Sequence, residues 1–306
     1  MQRHTLLTLC AAAVVATSAL GLATARPAKP ASLMATMSWN GTTSRDWNVG
    51  SNWSDSTVPA AGDIVTIPRT EPPDYQGDPI ISNADAFAGD LTIAGPRTVT
   101  VTGKKLTLDG STQVFNGTLI LSDITAKVEF TYPQGTDWVA LSGNGGIEGQ
   151  HESAEVGLND SKIDNDSVIH GILTVKKVGG DTATFKNGDT GIVRANAAGV
   201  LSFAAGLTLA DETACSPSWE AITNTGAVLE FNQAATNLVG TFVLDDCAKM
   251  RFNANITTVG TLVDSSAGSP QGFIDIENSS TFTFRTECDG GSPVSYTIDK
   301  TLGSCP

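Results

Sequence analysis

The chain has 306 residues, with 18 Lys and Arg set against 32 Asp and Glu and a formal charge of −14. No basic stripe is available to neutralise phosphates, which excludes a nucleic-acid binder. After the first residues, no apolar run is long enough to span a bilayer.

Residues 1–25 read as a secretory signal. Arg3 and His4 form the basic start, an apolar run follows to Leu22, and Ala23-Thr24-Ala25 supplies the small residues a signal peptidase needs. The expectation is a secreted, extracellular protein with no membrane span after cleavage. Residues 26–37 read as a Pro-containing linker and residues 38–75 as a Trp-rich segment holding Trp39, Trp47 and Trp53.

From there the chain is a series of short β-branched or alternating runs, each bounded by Gly, Asn, Asp or Pro. They include Ile64–Ile67, Leu91–Ile93, Thr98–Thr102, Leu106–Leu108, Thr118–Leu121 and Lys127–Phe130. Between about residues 131 and 167 the pattern fades into Gly, Asn, Asp and Ser, and a lateral loop or insertion is expected there. Strand signals resume at Ile172–Val175, Ile192–Arg194, Val200–Phe203, Val228–Phe231, Thr241–Leu244, Lys249–Phe252, Phe273–Ile276 and Thr281–Phe284. The one helix candidate, Asp211–Ala221, contains Pro217, which argues against it.

Spacing decides the architecture. Related strands recur at near-equal intervals, from Leu106 to Val128, from Val228 to Met250, and from Met250 to Ile274. These intervals match one turn of a β-helix, and stacked turns bury what one turn alone cannot. The fold class read here is all-β: a single-domain parallel β-helix over residues 76–306, with the Trp-rich segment as its N-terminal cap. A pair of β-sandwiches is the alternative.

Four cysteines remain after the leader: Cys215, Cys247, Cys288 and Cys305. An even number in an exported chain points to disulfides. The expected pairing is sequential, Cys215–Cys247 and Cys288–Cys305, one of three arrangements, and the second bridge would staple the C-terminal end.

The order Trp39-Asn-Gly, Asp46-Trp47, Ser51-Asn-Trp-Ser, Val58-Pro, Gly62-Asp-Ile-Val-Thr-Ile67 resembles the entry to the first turn in secreted bacterial β-helix surface proteins of the autotransporter-passenger and β-strand-repeat type. The resemblance implies a freely secreted or loosely surface-associated protein. No C-terminal membrane barrel of an autotransporter is read in the sequence. Fold likeness does not choose among adhesion, matrix and carbohydrate roles.

Chemical motifs are sparse. Asp245-Asp246, followed by Lys249 and Arg251, is the best local match to a polysaccharide-cleaving or polysaccharide-binding site, although adjacent strand residues face opposite sides. Trp47, in its Asn- and Asp-rich loop, is the candidate sugar contact among the three tryptophans. Asp160, Asp164 and Asp166 are candidate Ca²⁺ ligands, without the glycine and distant glutamate of an EF-hand loop. No other cofactor is expected. His170 reads as a surface strand residue, and no nucleophile elbow or phosphate loop is present. The expected function is a non-enzymatic structural or adhesive solenoid that self-assembles or meets other surface and matrix components. Carbohydrate binding or polysaccharide degradation is the alternative.

Overall fold

Each short strand alternates side chains between two environments, and the stacking of turns decides which environment is dry. The computed structural model describes residues 34–298, apart from 133–136, 211–215, 223–225, 246–247, 265–272, 277–281 and 286–294. These strands form a parallel β-solenoid of about nine turns. Val65 pairs with Leu91, and Leu91 with Gln113; on another side Leu106 pairs with Val128, and Val128 with Val156. Parallel ladders of this kind exclude the sandwich alternative. Val65, Ile67, Leu91, Ile93, Leu106, Leu108, Val128 and Phe130 all point inward and are fully buried. Each such side chain contributes about 1.5–3 kcal/mol relative to exposure.

Register follows the inward residues rather than a fixed repeat. The step from one turn to the next is short at Thr98↔Thr118 and distinctly longer at Thr112↔Ala140. Leu106 lies on Val128 as the spacing implied, and Met250 on Ile274. Met250, however, pairs with Leu229 and not with Val228. A one-residue slip would have turned Met250 outward, because side chains alternate along a strand. Leu229 and Met250 are both buried, whereas Val228 faces out.

The lateral loop expected near 131–167 is not present over the residues described there. Val139–Asn187 is one continuous run of extended backbone that winds around the solenoid. It pairs in succession with Thr112–Phe115, Thr118–Leu121, Lys127–Phe130, Ile192–Ala195 and Gly199–Phe203. The run disguises itself because some inward positions are polar. Ser161, Asn165, Ser167 and Asn187 are all buried. Their polar atoms are satisfied within the interior. Asn165 Nδ2 donates to Asn187 Oδ1 at 2.9 Å, Asn187 Nδ2 to the Ser218 carbonyl at 3.0 Å, and Ser161 Oγ to the Phe130 carbonyl at 2.9 Å. Such a ladder removes the penalty that buried amides would otherwise carry.

The Trp-rich segment closes the N-terminal end. Thr36–Ser38 stacks on Ile64–Ile67, Asp46 bridges to Ile80, and Trp39 bridges back to Trp53. The chain therefore curls once over the end of the solenoid, and Ile64–Ile67 already belongs to the first full turn. Trp39, Trp47 and Trp53 are at most 1% exposed and pack edge to face, with centroids 5.0 Å apart for Trp39–Trp53 and 4.7 Å for Trp47–Trp53. Asn52 is the peg of this curl. Its Oδ1 accepts from the amides of Thr43 and Ser44, and its Nδ2 donates to the Asp46 carbonyl and to Ser44 Oγ. The corner that follows is held by Arg97, which donates to Glu71 and to the carbonyls of Pro68 and Arg69 while stacking on Tyr75 at 4.8 Å.

Further along, aromatic side chains form a column in the interior. Phe203 stacks on Phe231 at 5.5 Å, Phe231 on Phe252 at 5.3 Å, and Trp219 on Phe242 at 6.4 Å. Ser218–Ala221 is a strand, as Pro217 suggested against a helix. Ser295–Ile298 pairs antiparallel with Phe282–Arg285. Cys215, Cys247, Cys288 and Cys305, and with them both expected disulfides, lie outside the described residues. No helix among the described residues is long and apolar enough to cross a membrane.

Candidate functional site

The same alternation that fills the core sends polar side chains outward in register, one turn above the next. On one side Glu230, Arg251 and Asp275 stack directly. Arg251 pairs with Glu230 at 3.1 Å and with Asp275 at 3.0 Å, and Lys249 joins Asp275 at 3.2 Å. On another, Lys105 pairs with Glu129 at 2.9 Å, while Lys127 and Lys176 share Glu155 at 2.9 and 2.6 Å. The bound ammonium groups and hydrogen bonds outweigh burial and hold the carboxyls of Glu129 and Glu155 below the usual range. These ladders satisfy themselves and leave little charge for a ligand.

A third column behaves differently. His170 in the long run stacks on Arg194, and Arg194 on Glu220. Arg194 is ion-paired with Glu220, which also accepts from Ser218 Oγ at 2.7 Å. Two shallow concavities meet at His170 and Asn196. One, of about 200 Å³, is bordered by Thr118, Asn144 and Arg194; the other, of about 400 Å³, by Glu148, Gln150 and Gly171. Gln150 Nε2 donates to Glu148 Oε1 at 2.9 Å, which fixes that carboxylate at the groove's edge. Burial pushes the His170 pKa below its ordinary value and nearby Arg194 adds to this, against the opposing pull of Glu148 and a hydrogen bond with the Asn196 side chain. The imidazole is therefore neutral near pH 7, with one nitrogen to donate and one to accept. Chemically, the groove is a set of hydrogen-bonding groups with little net charge.

Glycine makes the groove shallow-walled. A Cβ at Gly146 would overlap the Val168 carbonyl oxygen, and one at Gly171 the Gly149 carbonyl oxygen. These positions are glycine because the turns touch there, and the missing side chains leave the floor bare.

The sites expected from sequence fall elsewhere. Trp47, assigned a sugar contact, has 0% exposure and packs in the cap interior, so the closed cap withholds it from any ligand. Of the five tryptophans, Trp138 is the partly exposed one, with the ammonium groups of Lys162 and Lys186 at 6.0 and 5.5 Å from its ring. Asp245 sits at the corner after the strand Ala235–Leu244, its amide donating to the Ala221 carbonyl, and Asp246 lies outside the described residues. Asp160, Asp164 and Asp166 are not gathered into one cluster. Asp160 accepts from the Thr182 amide, Asp164 pairs with Lys186 at 2.8 Å, and Asp166 accepts from the Thr190 amide. Among the described residues, no group of three His, Cys, Asp or Glu side chains converges to hold a metal ion. The His170 groove escaped the sequence because it draws on successive turns, with Thr118 on one, Asn144 to Gln150 on the next, His170 and Gly171 on a third, and Arg194 and Asn196 on a fourth. The one local signal was the run of glycines and asparagines at Gly143–Gly146.

A domain of unknown function, DUF8693, matches residues 38–139. That segment begins at the end of the strand Thr36–Ser38 and covers the rest of the cap and the first turns; of the groove's border it includes Thr118, while Glu148, Gln150, His170, Arg194 and Asn196 lie beyond it. No curated protein and no solved structure matches the chain.

Proposed function

We propose that the chain is a secreted, non-enzymatic structural and adhesive solenoid that acts at the cell surface or in the extracellular matrix. The observation that carries this reading is the outward register of paired charges along a capped, continuously packed stack. In such a stack each turn is held by its neighbours, and the outward side chains form registered columns along the lateral faces. The basic-apolar-small order of residues 1–25 supports export, and the resemblance of the Trp-rich entry supports a surface role. Partners in this reading are matrix components or further copies of the chain.

The experiment is retention of the purified, processed protein on cell-wall and matrix material from the producing cells, with electron microscopy of the protein alone at high concentration. Saturable retention or ordered assemblies are the expected results. Free passage through the matrix together with strictly monomeric particles would overturn the reading. A second reading, carbohydrate binding, is favoured by one specific feature, the hydrogen-bonding groove at His170.

A further inference from the structure

The geometry points to a binding site for an uncharged glycan in the groove formed by Glu148, Gln150, His170, Arg194 and Asn196, with the sugar chain lying along the solenoid axis. This inference rests on the adhesive reading and names the chemistry of its contact.

Three features of the groove select that ligand. Its length comes from stacking. The two concavities run across the turns that carry Thr118, Gly146, Val168 and Arg194, joined at His170 and Asn196. Three strand spacings amount to about 15 Å, an extended path suited to a short oligosaccharide rather than a compact metabolite. Its polarity comes from side chains that both donate and accept. Gln150 and Asn196 offer amides, Thr118 a hydroxyl, and His170 a neutral imidazole, which together match a row of hydroxyl groups. Its charge comes from pairing. Arg194 is held by Glu220, so the cation is already matched, and Glu148 is the carboxylate left at the edge. A uronate or sulfate polymer would meet Glu148 and a body of charge −14, which disfavours it.

Among the described residues no Phe, Tyr or Trp side chain borders the groove, so recognition there rests on hydrogen bonds rather than on a stacking platform. Ligand hydroxyls would exchange water for protein groups at modest net gain per bond, and useful affinity then needs several contacts along the chain or several copies of the protein. A surface-bound array of solenoids supplies the copies.

The test follows the imidazole C–H proton signals of the processed protein, which contains His151 and His170, with His170→Gln assigning the His170 signal. The probes are neutral hexasaccharides of glucose, mannose and galactose, an oligogalacturonate, and a chitosan oligomer. At least one neutral hexasaccharide should shift the His170 signal saturably and leave His151 in place. Asn196→Ala should weaken that binding at least tenfold, while Trp138→Phe, on a different part of the surface, should leave it within twofold. The inference is overturned if no neutral probe moves the His170 signal, if Asn196→Ala binds as well as the parent, or if only the anionic or only the cationic probe binds. Matrix retention that survives Asn196→Ala and His170→Gln would sink the groove and keep the adhesive reading. Hexasaccharide binding without matrix retention would do the reverse.

Discussion

Removing the Asn52 amide should open the cap before the solenoid. Asn52 is fully buried and makes four side-chain hydrogen bonds: accepting from the Thr43 and Ser44 amides at 3.0 and 2.9 Å, and donating to the Asp46 carbonyl and Ser44 Oγ at 2.8 and 2.9 Å. At a net of about 1 kcal/mol each, Asn52→Ala loses about 4 kcal/mol. Thr43 lies at the surface, so water can replace part of one bond and the expected loss falls to about 3 kcal/mol. Solenoid turns interact with their neighbours only, so this loss is concentrated at the N-terminal end. Urea titration read by tryptophan emission should report it, because three of the five tryptophans sit in the cap. With urea slopes on the order of 1–3 kcal/mol/M, the emission midpoint should fall by about 1–3 M. The far-UV circular dichroism midpoint should move less, since most strands lie beyond the cap. An emission midpoint displaced by an equivalent of less than about 1 kcal/mol would refute the assignment of Asn52 as the peg.

Other perturbations give separable outcomes. Phe231→Ala, between Phe203 and Phe252 in the stacked column, should cost about 3–5 kcal/mol and split a single urea transition into two, as seen by circular dichroism. Trp138→Phe should remove most of the acrylamide-quenchable emission, because Trp39, Trp47, Trp53 and Trp219 are at most 1% exposed. For His170, whose folded pKa lies below its ordinary value, the neutral form is favoured by folding. Its contribution is complete above about pH 6.5 and is lost as pH falls toward the folded value. The parent should therefore lose stability relative to His170→Gln between pH 7.5 and 5, in denaturation curves taken at matched ionic strength. A constant gap between the two would show that burial and Arg194 do not outweigh Glu148 and Asn196, so that folding does not lower the His170 pKa.

Much of this architecture was legible in the sequence because inward strand positions are hydrophobic and turn residues are Gly, Asn and Asp. Ile64–Ile67, Leu91–Ile93 and Lys127–Phe130 appear as strands with the bounds their composition implied. The Trp-rich segment does cover the N-terminal end, as a solenoid end must be covered, but Ile64–Ile67, counted within it from the sequence, belongs to the first turn. The stretch near 131–167 reads as loop from sequence, yet its described residues from 139 onward are strand, with Ser161, Asn165 and Ser167 among the inward positions. Those residues look like loop when each is taken alone, and only pairing between turns makes them core. The groove was illegible for a related reason. Its chemistry depends on which outward residues fall on top of one another, and turn lengths vary enough that no fixed spacing reveals it. His170, Arg194 and Glu220 become neighbours through two steps of unequal length, the second longer than the first.

That inequality has a consequence for how such a chain can change. Strand separation is fixed by backbone hydrogen bonding at about 4.8 Å, whatever the length of chain between one strand and its partner above. The short turn from Thr98 to Thr118 and the long one from Thr112 to Ala140 therefore add the same height. The protein's reach along its axis counts windings, while added residues alter only its girth at the corners. Variants could thicken, decorate or trim individual corners without shifting the alignment of the faces between them. Lengthening the rod takes a complete additional winding.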